Sequence, residues 1–217
     1  MGILSGGILG PVKGKVGAVV GSVVGGQNII KKMPSSYNDL NSVAQQGQRS
    51  AFANTLAWYQ ALAAIVFEGF KERLAIHSPY NSFMSENVGK GVVTDVPVWA
   101  SLKVAKGSLG NPNFVVSSTL DLTTIDLDWD DDSDGSSKLS TDEVVFVAIN
   151  PLTKEIVTSN ADSTRADGTL SISLPVTMQN VDLQTYAFVK RADGKKASSS
   201  FRTGKLKSGS ELAGSVQ

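Results

Sequence analysis

Six residues, Asp130-Asp131-Asp132-Ser133-Asp134-Gly135, carry the sharpest chemical pattern in this chain. Carboxylates at alternate positions followed by glycine match the first half of a calcium loop, where oxygens from positions 1, 3 and 5 converge on one ion. The second half does not follow. Lys138 stands at position 9, Thr141 takes the place of the bidentate glutamate, and Glu143 comes two residues late. The flanks read as strands, whereas an EF-hand needs helices. The expectation is a solvated acidic loop that binds no calcium tightly. Calcium on Asp130, Asp132 and Asp134 in another geometry is the alternative.

Other chemistry finds less support. There is no cysteine, hence no disulfide framework, thiolate metal site or cysteine nucleophile. His77 is the only histidine, and its place near the end of a long helical pattern suits an interaction with terminal carbonyls. A hydrolase triad needs its histidine beside a nucleophile and an acid, and no Gly-x-Ser-x-Gly elbow occurs. No phosphate-binding glycine loop of either standard spacing is present. Acidic residues are plentiful, but no pair is singled out for glycosidase work. The expectation is a protein that is not an enzyme, with no catalytic residues and no cofactor.

The charges cancel, 20 basic against 20 acidic residues, which removes the long-range field expected of a nucleic-acid binder. Their placement is uneven. Residues 121–143 hold nine acidic residues and one lysine, while residues 190–207 hold Lys190, Arg191, Lys195, Lys196, Arg202, Lys205 and Lys207 against Asp193. Opposite poles on one domain favour head-to-tail contacts between copies. Phe201 is the one aromatic residue in the basic run, so nucleic acid is not the expected partner.

The elements that must position these groups fall into three regions and a tail. Residues 1–34 hold nine of the 21 glycines and four charged residues, all lysine. Such a segment buries little side-chain area, and each glycine loses more backbone freedom on ordering than any other residue. It is expected to order only against a neighbouring molecule. Gly25-Gly26 between two β-branched runs suits a two-residue hairpin turn. Gly17 and Gly21 would leave one strand face flat enough for another backbone to approach. The assembly candidates are Gly14, Gly17, Val19, Gly21, Val23, Gly25 and Ile29. The apolar run Val16–Gly26 is about half the length of a membrane span, and no secretory signal pattern opens the chain.

Residues 38–92 read as helical. Phe52, Leu56, Tyr59, Ala63, Val66, Phe70 and Leu74 recur at three- and four-residue steps as one apolar stripe. Phe52, Leu56 and Tyr59 join the assembly candidates. Ser78-Pro79 combines an N-cap with proline at the first helical position, and Gly89 or Gly91 would end that second helix. Residues 97–207 read as about seven short strands, including Val98–Val104, Thr124–Trp129, Glu143–Ile149 and Tyr186–Lys190. Asp167-Gly168 and Asp193-Gly194 are expected hairpin turns. The predicted class is α+β: a glycine-rich arm or hairpin, a long and a short helix, and a C-terminal Ig-like or fibronectin-III-like β-sandwich. Tyr186 is the tyrosine-corner candidate. Residues 208–217 form a polar tail.

Gly7 to Gly21 (GILGPVKGKVGAVVG), followed by a lysine-rich strand and Pro34, then Gln45–Phe52, Ser78–Asn81, Trp129, Asn150-Pro151 and Leu174-Pro175, form one order of motifs. In that order the chain resembles an uncharacterised domain-of-unknown-function family of Bacteroidota and their phages. The resemblance spans nearly the whole chain and implies no catalytic or binding residues. It implies a virion component: tail, collar or capsid-associated, assembled in the bacterial cytoplasm, with copies of itself and other virion proteins as partners. A homo-oligomer or ring is the expected form. The alternative is a cell-surface or adhesin-like module that recognises glycan or protein through loops such as Asp130–Ser137.

Overall fold

The computed structural model describes residues 3–4, 12–24, 26–36, 39–73, 77–118, 123–159 and 163–206. Its class is α+β. Two compact units divide the chain, Met1–Ser42 and Val43–Gln217. Gly2, Gly6, Gly10, Gly25, Leu74 and the tail 208–217 lie outside the described residues.

The first unit is one antiparallel sheet, β1 (Ile3–Leu4), β2 (Val12–Val16), β3 (Val19–Val24) and β4 (Gln27–Lys32), in chain order. Val24 pairs with Gln27, so β3 and β4 form a hairpin, and Gly26 takes φ 80°. Gly17 does not lie on a strand face. With Val16 paired to Val19, Gly17-Ala18 is itself a two-residue turn, and Gly17 takes φ 57°, a left-handed value that favours glycine.

The second unit has three layers. Helix α1 (Val43–Gly69) and helix α2 (Pro79–Asn87) cover one face of a four-stranded sheet. That sheet runs β11 (Phe201–Leu206), β10 (Leu183–Lys190), β7 (Glu143–Ile149), β8 (Ile156–Thr158). Its other face packs on a three-stranded sheet, β5 (Phe114–Ser118), β6 (Thr124–Trp129), β9 (Thr169–Ser173). All strand pairs are antiparallel. Seven strands in two sheets with crossing connections form the Ig-like sandwich; β8 lies beside β7, whereas the constant-type layout puts its fourth strand in the other sheet.

The middle sheet explains a sequence feature. Val145, Val147, Ile149, Tyr186 and Phe188 face the helices, while Val144, Phe146, Ala148, Leu183 and Val189 face the second sheet. Strands buried on both faces read as continuous apolar runs. The outer strands have one solvated face and alternate accordingly.

Several expectations are corrected. Val98–Val104 is not a strand; it is an irregular segment that buries Leu102 and Val104 beneath the helices. Side chains replace its missing ladder: the Asn87 amide donates to the Lys103 carbonyl (2.9 Å) and accepts from its N–H (2.9 Å), and Val104 N–H donates to Ser200 Oγ (3.1 Å). The seventh strand is β11, whose basic residues hid its β pattern. Asp167-Gly168 closes a short 3₁₀ turn between the two sheets and makes no hairpin. Tyr186 points at the helical layer, and its hydroxyl donates to the Trp99 carbonyl (2.6 Å), so it forms no tyrosine corner. Burial pushes the phenol's pKa well above its ordinary value.

Helix α2 follows prediction. Ser78 Oγ accepts from Asn81 N–H (3.2 Å), Pro79 opens the helix, and Gly89 takes φ 71° just past the Val88 cap. The α1 stripe is displaced by one position in the first half of the helix, while its Val66 and Phe70 are fully buried as expected. The buried line is Ala51, Thr55, Trp58, Leu62, Ile65, Val66 and Gly69, about 100° around the helix from one drawn through Phe52 and Leu56. Small residues decide it. A Cβ on Gly69 would sit 2.6 Å from Ala105 Cβ, and the Thr55 hydroxyl is satisfied by the Ala51 carbonyl (2.7 Å). α1 is also long and apolar enough to cross a membrane by length and composition alone; its Trp58, Leu62 and Val66 lie in the core of this unit.

Candidate functional site

The N-terminal sheet is the surface that stands out. Directly paired residues share a face, so the register sets Val16, Val19, Val23 and Ile30 on one side with Lys32. Lys15, Val20, Ser22, Val24, Ile29 and Lys31 lie on the other. Val16, Val19, Val23, Val24 and Ile30 are between 36 and 60% exposed. Gly21 is the single buried residue of this unit among the described ones.

Gly21 does serve a close backbone approach, and the approaching chain is its own. A Cβ there would lie 2.6 Å from the Val12 carbonyl carbon and closer still to its oxygen. Gly14, paired with Gly21 and at φ 87°, bends β2 so that Val12 crosses over. The flat glycine face is thus used inside the sheet, which leaves the valines around it open.

The remaining assembly candidates separate. Phe52 is 46% exposed on the outer side of α1, Leu56 is half-buried, and Tyr59 stacks edge-on to Tyr80 at 4.9 Å. Val43 and Phe67 are further exposed apolar residues on that helix. The sequence reading missed both, because neither falls on its stripe.

The acidic loop is an internal latch. Asp134 accepts the N–H groups of Ser136 (2.8 Å), Ser137 (2.8 Å) and Lys138 (2.9 Å) and the Ser137 hydroxyl (2.5 Å). These bonds to the charged form hold its pKa well below the usual carboxylate range. Asp132 pairs with Lys138 (2.6 Å) and with the fully buried Arg165. Burial raises its pKa, but the hydrogen bonds and charges of Lys138 and Arg165 outweigh that and lower it. Arg165 also donates to the Gly110 carbonyl (2.8 Å) and lies 3.7 Å from the buried Asp142, which Arg191 approaches at 3.3 Å. Asp130 is exposed and apart from this set. Among the described residues no three His, Cys, Asp or Glu side chains gather as metal ligands.

The basic run meets acids of its own unit. Lys190 pairs with Glu143 (3.1 Å) and Glu68 (3.4 Å), Arg191 with Asp142, and Lys205 with Asp182 (2.5 Å). Glu72, after α1, accepts N–H groups from Ser108 (3.0 Å) and Ala197 (3.2 Å); burial opposes its charge, and these bonds with Lys196 nearby lower its pKa overall. His77 lies past the end of α1, exposed just before the Ser78 cap, so it does not interact with the α1 carbonyl end. A groove of about 350 Å³ runs between α1 and the β7–β8–β10 sheet, lined by Ala64, Ile65, Ile156 and Phe188 beside the Glu68–Lys190 pair.

The sequence pattern of a family of unknown function (DUF6266) matches residues 11–204, and the chain belongs to that family. A comparison with curated protein sequences finds no match.

Proposed function

We propose that this family member is a non-enzymatic structural protein of a multi-copy assembly, held to its neighbours through the sheet of residues 12–32. One observation carries the reading: a formed four-stranded sheet leaves five valine and isoleucine side chains 36 to 60% exposed and has no apolar core among its described residues. Fully burying one such side chain is worth about 1.5–3 kcal/mol, and sheets need a covered apolar face for independent stability. A partner that covers this sheet supplies what it lacks.

The setting is taken from the resemblance to a family of Bacteroidota and their phages. It is a bacteriophage particle, with the chain in a tail, collar or capsid-associated position and with copies of itself or other virion proteins as neighbours. An adhesin-like module is less well supported, because Asp132 and Asp134, two of the four carboxylates of its recognition loop, are already engaged. Light scattering on the full chain and on a chain lacking residues 1–33 tests the reading. The expected result is a multimer that falls to a folded monomer on truncation; monomers in both cases would reject it.

A further inference from the structure

We propose that the N-terminal sheet of one copy docks, by the face carrying Lys15, Val20 and Lys31, on the outer face of the β5–β6–β9 sheet of a second copy. The inference rests on the assembly reading above and names the partner surface for one face of the sheet, the face with Val24; Val16, Val19, Val23 and Ile30 lie on the other.

Charge complementarity selects the pair. The first acidic residue of the chain is Asp39, so the N-terminal sheet carries Lys13, Lys15, Lys31 and Lys32 with no acid of its own. Lys15, Val20 and Lys31 lie in one row across three strands, which places the exposed lysines about 10 Å apart at their backbones. On the acceptor, Ser117, Asp126 and Ser171 form one row, and Val115, Asp128 and Thr169 the next. Asp126 and Asp128 are two residues apart on the central strand, about 7 Å. Asp126 accepts the Ser171 hydroxyl and Asp128 the Thr169 hydroxyl (2.8 Å), and among the described residues neither has a cationic partner.

Shape agrees with charge. The side chains in these two rows are all short (serine, threonine, valine and aspartate), and Val115 adds an apolar spot 38% exposed. Flat faces of this kind pack sheet on sheet at about 10 Å, and lysine stems can cover Val115 while their ammonium groups reach the carboxylates. Other occupants fit less well. A second N-terminal sheet would set lysine against lysine. Nucleic acid would leave Val20, Val24 and Ile29 uncovered. Within the basic run of residues 190–207, Lys190, Arg191 and Lys205 are already paired at home. Because donor and acceptor are different surfaces, the contact is heterologous and closes into a ring or propagates.

The test uses the full-length chain and its mass by light scattering. K15E/K31E alters exposed positions and D126K/D128K one half-buried and one exposed position; each should weaken assembly at least tenfold, with the second unit still unfolding cooperatively. An equimolar mixture of the two should assemble again, because the acidic sheet of one meets the basic face of the other. The milder K15Q/K31Q and D126N/D128N should weaken assembly in the same direction and by less. If both reversed variants keep the wild-type mass while deletion of residues 1–33 gives monomers, the assembly reading stands and this surface is wrong. If the reversed variants fall apart and their mixture does not recover, the pairing is wrong. A wild-type monomer at every concentration overturns both.

Discussion

The sheet of residues 12–32 and the sandwich of residues 114–206 are both antiparallel and both satisfy their backbones by strand pairing. They differ in what lies against them. The sandwich's central strands are covered on both faces, by helices on one side and a second sheet on the other, and Phe146, Phe188, Leu183 and Ile149 are fully buried. The N-terminal sheet buries one glycine among its described residues. Hydrogen-bonded ladders shape both regions, but apolar burial decides which one stands alone.

The largest effect that sharpens this contrast comes from truncation in the doubly covered layer. Phe188→Ala should cost about 3–5 kcal/mol, read as a lower midpoint in denaturant, while Val23→Ala in the N-terminal sheet should move the monomer's midpoint by less than about 0.5 kcal/mol. Equal effects would break the comparison. Arg165→Ala follows, at about 3 kcal/mol, because it leaves the fully buried Asp142 short of a counter-charge.

Acid should separate the regions as well. Asp132 and Glu72 have folded pKa values below their unfolded ones. Their contribution is therefore complete above the unfolded values, about 4, and is lost as pH falls through the folded ones. Unfolding of the second unit should steepen below about pH 4, and Asp132→Asn should flatten that limb; an unchanged acid profile would contradict the latch. Tyr186→Phe removes one hydrogen bond to the Trp99 carbonyl and should cost about 1 kcal/mol. The smallest effect on the sandwich is Gly21→Val. It should leave the second unit's melting unchanged while it opens the β2–β3 pairing, where Val12 leaves no room for a side chain; native-like exchange of residues 12–24 in that variant would count against the close approach.

Much of the α+β plan is readable from local chemistry. Ser78-Pro79 and Gly89 mark both ends of α2, the β3–β4 hairpin is observed, and six of the expected strands coincide with observed ones. The failures share a cause, that the deciding contact is distant in sequence. Val98–Val104 has β composition, yet Asn87 and Ser200 take its hydrogen bonds. The α1 stripe follows Ala51, Thr55 and Gly69, and the small size of Gly69 counts only once Val104 and Ala105 are packed on it. The acidic and basic runs look like opposed poles, and Arg165, Asp142 and Glu143 close them internally. On the candidate surface, Val19, Val23 and Ile29 are placed correctly on strands. Gly21's role as a seat for Val12 depends on the bend at Gly14, which spacing alone does not reveal.

The central claim is that the N-terminal sheet is stabilised by a neighbour and not by itself. Amide hydrogen exchange of residues 12–32, followed as protein concentration rises through the assembly range, tests it most directly. The account predicts rapid exchange in dilute monomer and strong protection in the assembly, while the amides of β7 and β10 stay protected throughout. Equal protection of residues 12–32 at every concentration would show a sheet that holds itself together and would contradict the account.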